Sequence, residues 1–212
     1  NLNKMNAQLK KGNWNGYFSS SSFHGELFNK NLGILGYGHI GKEIAKRAKA
    51  FNMNISCVVR NIDKYKSNKY INIISIKNIK KEINKFDYLI IACPLNNETK
   101  NLINFNLMKN MNKNSVVINI ARGPIINEAD LYKVLKNKII RAAVIDVWYN
   151  YPKNNVTKKL YPSKYPLHKL DNITFSPHSS AWSSQLWERR FKFVCENLEN
   201  LYNNKRIKNI VS

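Results

Sequence analysis

Between Asn31 and Phe175 the hydrophobic residues fall into short continuous runs separated by stretches of helical periodicity. Gly33 to Leu35 reads as a buried strand, after which Ile40, Ile44, Ala45, Ala48 and Phe51 recur at helical spacing. Asn54 to Val59 (NISCVV) reads as a second strand and Ile71 to Ser75 as a third, followed by Ile76, Ile79, Ile83 and Phe86 on one helical face. Tyr88 to Cys93 is a fourth, ended by Pro94, which cannot donate to a ladder. Thr99 is placed to cap a short helix, and Phe105, Leu107, Met108 and Met111 suggest another turn or two. Ser115 to Ile120 is a fifth strand, and Asn127 can cap a helix bearing Leu131, Val134 and Leu135. Ala142 to Val147 is a sixth strand, and Ile173 to Phe175, reached through a Pro- and Tyr-rich loop, a seventh. A long helix pattern from Ser183 or Ser184 to about Asn203 closes the chain. Residues 1–30 are polar and read as a leading helix followed by an irregular connector with Gly12, Gly16, Gly25 and the run Ser19 to Ser22. Strands that alternate with helices, several of them apolar throughout, predict an α/β fold: a doubly wound parallel sheet with helices on both faces.

Composition narrows the function classes. A chain of 212 residues with 43% hydrophobic content can bury a sizeable core. The formal net charge of +22 ordinarily points to nucleic acid or an anionic membrane surface. Here the lysines are spread over nearly every segment, and only seven of the 35 basic residues are Arg, so no phosphate-tracking stripe is visible and neither partner is expected. Cys57, Cys93 and Cys195 are odd in number and widely spaced, which is not a disulfide framework. No metal site is expected. No apolar run reaches transmembrane length and the start lacks a signal-peptide layout, so a reducing, cytoplasmic setting is the expectation, an upstream targeting segment being left open by the abrupt beginning.

The candidate chemistry sits at the predicted strand ends, where ligands of such sheets bind. Gly36, Gly38 and Gly41 have GxGxxG spacing between the first strand and its helix. In that context the first glycine permits a tight turn, the second lets backbone approach a pyrophosphate, and the third lets helix and strand pack closely, with the helix-opening amides facing the phosphate charge. A ligand-free glycine turn is the plain alternative. The pattern makes the expected sheet a Rossmann-type one. Arg122 follows the fifth strand, Asp146 the sixth and His178 the seventh. A guanidinium at such an edge can clamp a carboxylate with two parallel hydrogen bonds. Singly, the three read as a surface cation, a strand-end cap and a loop histidine; together, beside a phosphate loop, they point to catalysis.

The segments GILGYGHIGKEIAKRAKAF, ACPLNNETKNLI, VVINIARGPIINEADLYKVLKN, AAVIDVW and NITFSPHSSAW, agreeing in order and spacing, resemble the nucleotide-binding domain of the D-isomer-specific 2-hydroxyacid dehydrogenases. The resemblance runs from about Gly12 to the C-terminus. It implies hydride transfer between C2 of a 2-hydroxy or 2-keto acid and the nicotinamide ring. By similarity, Arg122 would bind the substrate carboxylate and polarise the 2-oxygen, and His178 would exchange a proton with that oxygen. Asp146 and the backbone near Ile120 would hold the carboxamide, the His39 and Ile40 amides would face the pyrophosphate, and Pro94 would line the cofactor cleft, with Thr99 in the same loop counted on the cofactor side. Relatives often form homodimers through this domain, so a dimer is the expectation carried over from the resemblance.

Three departures qualify the resemblance. Most members carry a glutamate five residues after the aspartate matching Asp146, where it supports the charged catalytic histidine; Tyr151 stands there instead. A neutral partner withdraws that support, so His178 is expected to be a weaker proton store and a better base near neutrality. The formate dehydrogenase branch also lacks that glutamate. A catalytically degenerate nucleotide-sensing scaffold of the same fold is the alternative. Second, about 20 positions after the glycines, where a carboxylate would bond the ribose of NAD, the chain offers Val58, Val59, Arg60 and Asn61. Arg60, with Lys64, can pair with a 2'-phosphate, which favours NADP within an NAD(P) expectation, although Arg60 can equally be solvated and Asn61 can bind a ribose. Third, nearly all of the family's substrate lobe is missing. Residues 1–30 would be the interdomain helix and connector, 31–182 the dinucleotide-binding domain, and 183–212 a C-terminal helix and tail returning toward a lobe absent from this chain. The apolar face of that last helix, with Trp187, Phe191, Phe193 and Leu198, would then be exposed. Trp148 and Trp182 border the substrate pocket or simply pack.

Overall fold

A computed structural model describes residues 2–14, 25–153 and 159–209. The serine run 19–22 and Gly16, expected in the connector, lie outside the described residues. The sheet has seven strands: β1 (Asn31–Leu35), β2 (Asn54–Val59), β3 (Ile71–Ser75), β4 (Tyr88–Ile91), β5 (Val116–Asn119), β6 (Ala142–Ile145) and β7 (Ile173–Phe175). All neighbours are parallel, in the order β3-β2-β1-β4-β5-β6-β7. The order reverses between β1 and β4, and a crevice opens at such a switch point. The described α-helices are α1 (Leu2–Leu9), α2 (His39–Ala50), α3 (Ile79–Glu82), α4 (Phe105–Met108), α5 (Glu128–Lys136) and α6 (Leu186–Tyr202), with short 3-10 turns between elements.

The apolar strands are buried because helices cover them, but the cover is uneven. On one face α2 sets Ala45 and Ala48 against Leu32, Ile34, Ile55 and Cys57. On the other, α3 and the 3-10 turn that follows it, α4 and α5 bring Ile79, Ile83, Leu107, Met108, Leu131, Val134 and Leu135 onto Leu35, Leu89, Ile91, Val117, Ala143 and Ile145. Cover on the α2 face thins toward β6: Val116 and Ile118 are only half-buried, and Val144 is exposed. The expectation of helices on both faces therefore holds for the centre of the sheet and weakens toward β7.

Strands β4, β5 and β6 stop one or two residues short of their apolar runs, because their last residues turn into the loops that carry the candidate chemistry. Asn127 caps α5 as expected, its Oδ1 accepting from the Asp130 amide at 3.1 Å. Thr99 does not cap a helix: its hydroxyl donates to the Pro94 carbonyl and accepts from the Asn96 amide, both at 2.8 Å, so it ties down the loop after β4. Asn104 caps α4 instead, accepting from the Leu107 amide. Among the described residues no helix is long and apolar enough to cross a membrane.

Candidate functional site

The glycine turn is built by close approach. Gly36 has φ +100°, and a Cβ there would come within 2.9 Å of the Ala92 and Cys93 backbone just after β4. A side chain on Gly41 would run into the Gly36 carbonyl, so α2 can start this close to its own turn only with glycine there. At Gly38, the residue before α2, a Cβ would meet open space. Gly38 makes no side-chain cap and the first turn of α2 holds no acidic residue. The first amides of a helix have no intrahelical acceptor, so those of His39, Ile40 and Gly41 present the positive end of the helix dipole to the crevice. That cradle fits an anionic pyrophosphate.

Beside it lies a cleft of about 490 Å³ lined by Ile40, Ala92, Cys93, Pro94, Leu95, Ile120, Ala121 and Arg122. Four of the residues named from the sequence thus meet at one place: Ile40 at the start of α2, Pro94, Ile120 and Arg122. Burial pushes the Cys93 thiol up to about 11, so it lines the cleft as a neutral group. Arg122 is exposed, its Nη1 donating to the Ala121 carbonyl at 2.7 Å, while the Asn119 side chain holds the Arg122 carbonyl at 2.9 Å. Gly123 was not singled out from the sequence, yet a Cβ there would collide with the Trp148 carbonyl; the RG pair is what fits the Arg122 turn against the end of β6.

Asp146 follows β6 and bonds to the loop that carries His178. It is 6% exposed, and both carboxylate oxygens are engaged: Oδ1 accepts from the Ser179 and Ser180 amides at 3.1 and 3.3 Å, and Oδ2 from the Ser180 hydroxyl at 2.6 Å. Burial alone would raise its pKa; the hydroxyls of Ser176 and Ser180 and the two amides outweigh it and hold the group below the usual carboxylate value. A carboxylate so bonded fastens the loop that carries His178. The serines of SPHSS were the available signal.

His178 is exposed at φ 58°, in the left-handed region. Tyr151 is brought to it, the two rings 5.6 Å apart and tilted by 54°. The Tyr151 hydroxyl accepts from the Trp148 amide at 2.9 Å, so Tyr151 meets the imidazole with its ring. Trp148 is a packing residue: 5% exposed, stacked on Phe175 at 4.7 Å, its Nε1 donating to the Ser176 carbonyl. Trp182 is exposed.

On the other side of β1, Arg60 does not stand alone as the sequence suggested. Its Nη1 lies 3.1 Å from Glu98 Oε2, a residue the sequence reading passed over. The Asn61 side chain accepts from the Asp63 amide and caps the short 3-10 turn Ile62–Lys64. No group of three His, Cys, Asp or Glu side chains is placed to hold a metal among the described residues.

Comparison with known proteins agrees with this geometry. The family profile described as "D-isomer specific 2-hydroxyacid dehydrogenase, NAD binding domain" matches residues 1–180. The D-3-phosphoglycerate dehydrogenase of Methanocaldococcus jannaschii is 32% identical over 213 aligned positions, spanning 100% of this chain and 38% of that protein. The glyoxylate reductase of Pyrococcus horikoshii is 35% identical over 173 positions, 82% of this chain and 48% of that protein. The chain thus spans half or less of the length of these relatives. Among solved structures, an acyclic imino acid reductase in complex with NADPH and D-Arg superimposes with a TM-score of 0.80 at 27% identity, over 99% of this chain and 62% of that one. The glycine cradle, the cleft beside it and the match along 1–180 place this chain in the D-isomer specific 2-hydroxyacid dehydrogenase family, as its NAD-binding domain.

Proposed function

We propose that the protein to which this chain belongs moves a hydride between NAD(P) and C2 of a D-2-hydroxy acid or 2-keto acid. The observation that carries this is the uncapped N-terminus of α2 over the Gly36 turn, opening on a cleft whose wall includes Arg122. In this reading the turn and the His39 and Ile40 amides hold the pyrophosphate, and Pro94 and Ile120 line the nicotinamide side. Thr99 and Asn61 shape the loops around it. The bound cofactor supplies the hydride chemistry. Arg122 leaves the Ala121 carbonyl to clamp the substrate carboxylate through two parallel hydrogen bonds and draws charge toward the 2-oxygen. His178 exchanges a proton with that oxygen. Asp146 and Tyr151 are positioning residues, one fixing the 176–180 loop and the other packing on the imidazole. Relatives named for glyoxylate and 3-phosphoglycerate support a small 2-oxo or 2-hydroxy acid as the substrate class. NADP is favoured over NAD by Arg60 at the end of β2, and a homodimer is carried over from the family resemblance.

The test is reduction of glyoxylate and other 2-keto acids by the full-length protein with NADH and NADPH. Arg122→Ala and His178→Ala are each expected to lower kcat/KM by about 100-fold or more. Activity unaffected by both refutes the mechanism. A nucleotide-sensing scaffold is the second reading, favoured by Tyr151 meeting His178 with its ring where a carboxylate would support the charged imidazole; it requires dinucleotide binding with no turnover of any 2-keto acid.

A further inference from the structure

The Arg60–Glu98 pair joins two loops that flank the carboxyl end of β1. Arg60 follows β2, Glu98 lies in the loop after β4, and both strands neighbour β1. The backbone on each side is held: Asn61 caps the turn after Arg60, and Asn96 accepts from the amides of Glu98 and Thr99. Their paired side chains are solvent-exposed by contrast, 72% and 63%. The end of β2 is where sheets of this type read the adenosine ribose. The sequence supplies no carboxylate there, and the fold brings one in from another loop.

We propose that Glu98 is a specificity-determining residue for the dinucleotide, holding Arg60 in an ion pair that a 2'-phosphate must displace, and so lowering the preference for NADPH over NADH. The proposal rests on the dinucleotide reading of the cleft. An exposed ion pair is weak and separable. A phosphate offers more charge than a carboxylate and matches the planar guanidinium with two parallel bonds, so it takes Arg60 at the cost of the existing pair. NADH carries no such group and leaves the pair intact.

Calorimetric titration of the 212-residue chain with NADPH and with NADH tests this. Glu98→Gln is expected to tighten NADPH binding by about threefold to tenfold and to change NADH binding less than about twofold. In an Arg60→Gln background, where NADPH binds more weakly, the gain from Glu98→Gln should fall to less than half. Equal gains for both dinucleotides, no gain for either, or a gain undiminished without Arg60 each overturns the proposal. Failure of the unsubstituted chain to bind either dinucleotide overturns the reading of the cleft, and the proposal with it.

Discussion

A carboxylate that is 6% exposed has to be satisfied by protein groups, and Asp146 finds its partners in one loop, Ser179 and Ser180. Its position after β6 was legible from the apolar run AAVI and the acid that ends it. What it bonds was not, because Ser179 and Ser180 arrive from the far side of β7, more than thirty residues along the chain. The folded pKa lies below the ordinary value of 3.8, so these bonds stabilise the fold above that value and lose their contribution as pH falls through the lowered one. Asp146→Asn, which cannot accept from both Ser180 groups, is expected to cost about 1–3 kcal/mol at pH 7. Urea titrations at pH 7 and at pH 3 should show the gap between the two proteins narrowing on acidification. Glu98 teaches the same lesson from the other side of β1. Nothing local in NNETK pairs it with Arg60, 38 residues away; only the parallel order of β2, β1 and β4 does.

At the scale of elements, apolar periodicity read the inward positions correctly and the backbone state less well. Ile79, Ile83 and Phe86 are all buried, as one helical face requires, yet the segment runs as a 3-10 turn at Ile76–Asn78, a single α turn at α3, and another 3-10 turn at Ile83–Lys85. Side chains at i and i+3 share a face in either helix type, so the pattern cannot separate them. Packing decides here: the Phe86 ring lies across β1 at Gly33, where a Cβ would come within 2.5–2.8 Å of three ring carbons. Gly33→Ala is therefore expected to cost about 1–3 kcal/mol in denaturant unfolding through overpacking. Phe86→Leu removes the ring from that contact, so the double variant should be less destabilised than the sum of the two single ones. The cap of α5 was legible because Asn127 acts on an amide three residues away, within the reach of local sequence. Thr99 failed as a cap because its hydroxyl turns back to Pro94.

For the molecule as a whole, the strands carry the stability and α6 carries little of it. No residue of α6 is buried, and Trp187, Phe191, Val194, Leu198 and Leu201 are all exposed, in line with the expected exposed face; Phe193 is half-buried. Removing residues 184–212 is expected to shift the unfolding free energy of the sheet domain by less than about 0.5 kcal/mol, read from the urea midpoint. A larger loss would mean that α6 supports the sheet in solution. By itself the sequence determined the α/β class, the number of strands and their succession along the chain, the glycine turn and the strand ends that bear Arg122, Asp146 and His178, because each depends on periodicity or on residues adjacent in the chain. Only the tertiary structure decided what those side chains touch: Arg60 on Glu98, Asp146 on the loop of His178, the ring of Tyr151 on the imidazole, and Gly33 beneath Phe86. These contacts join residues far apart in the chain, and the order and register of the sheet, which no local pattern encodes, bring them together.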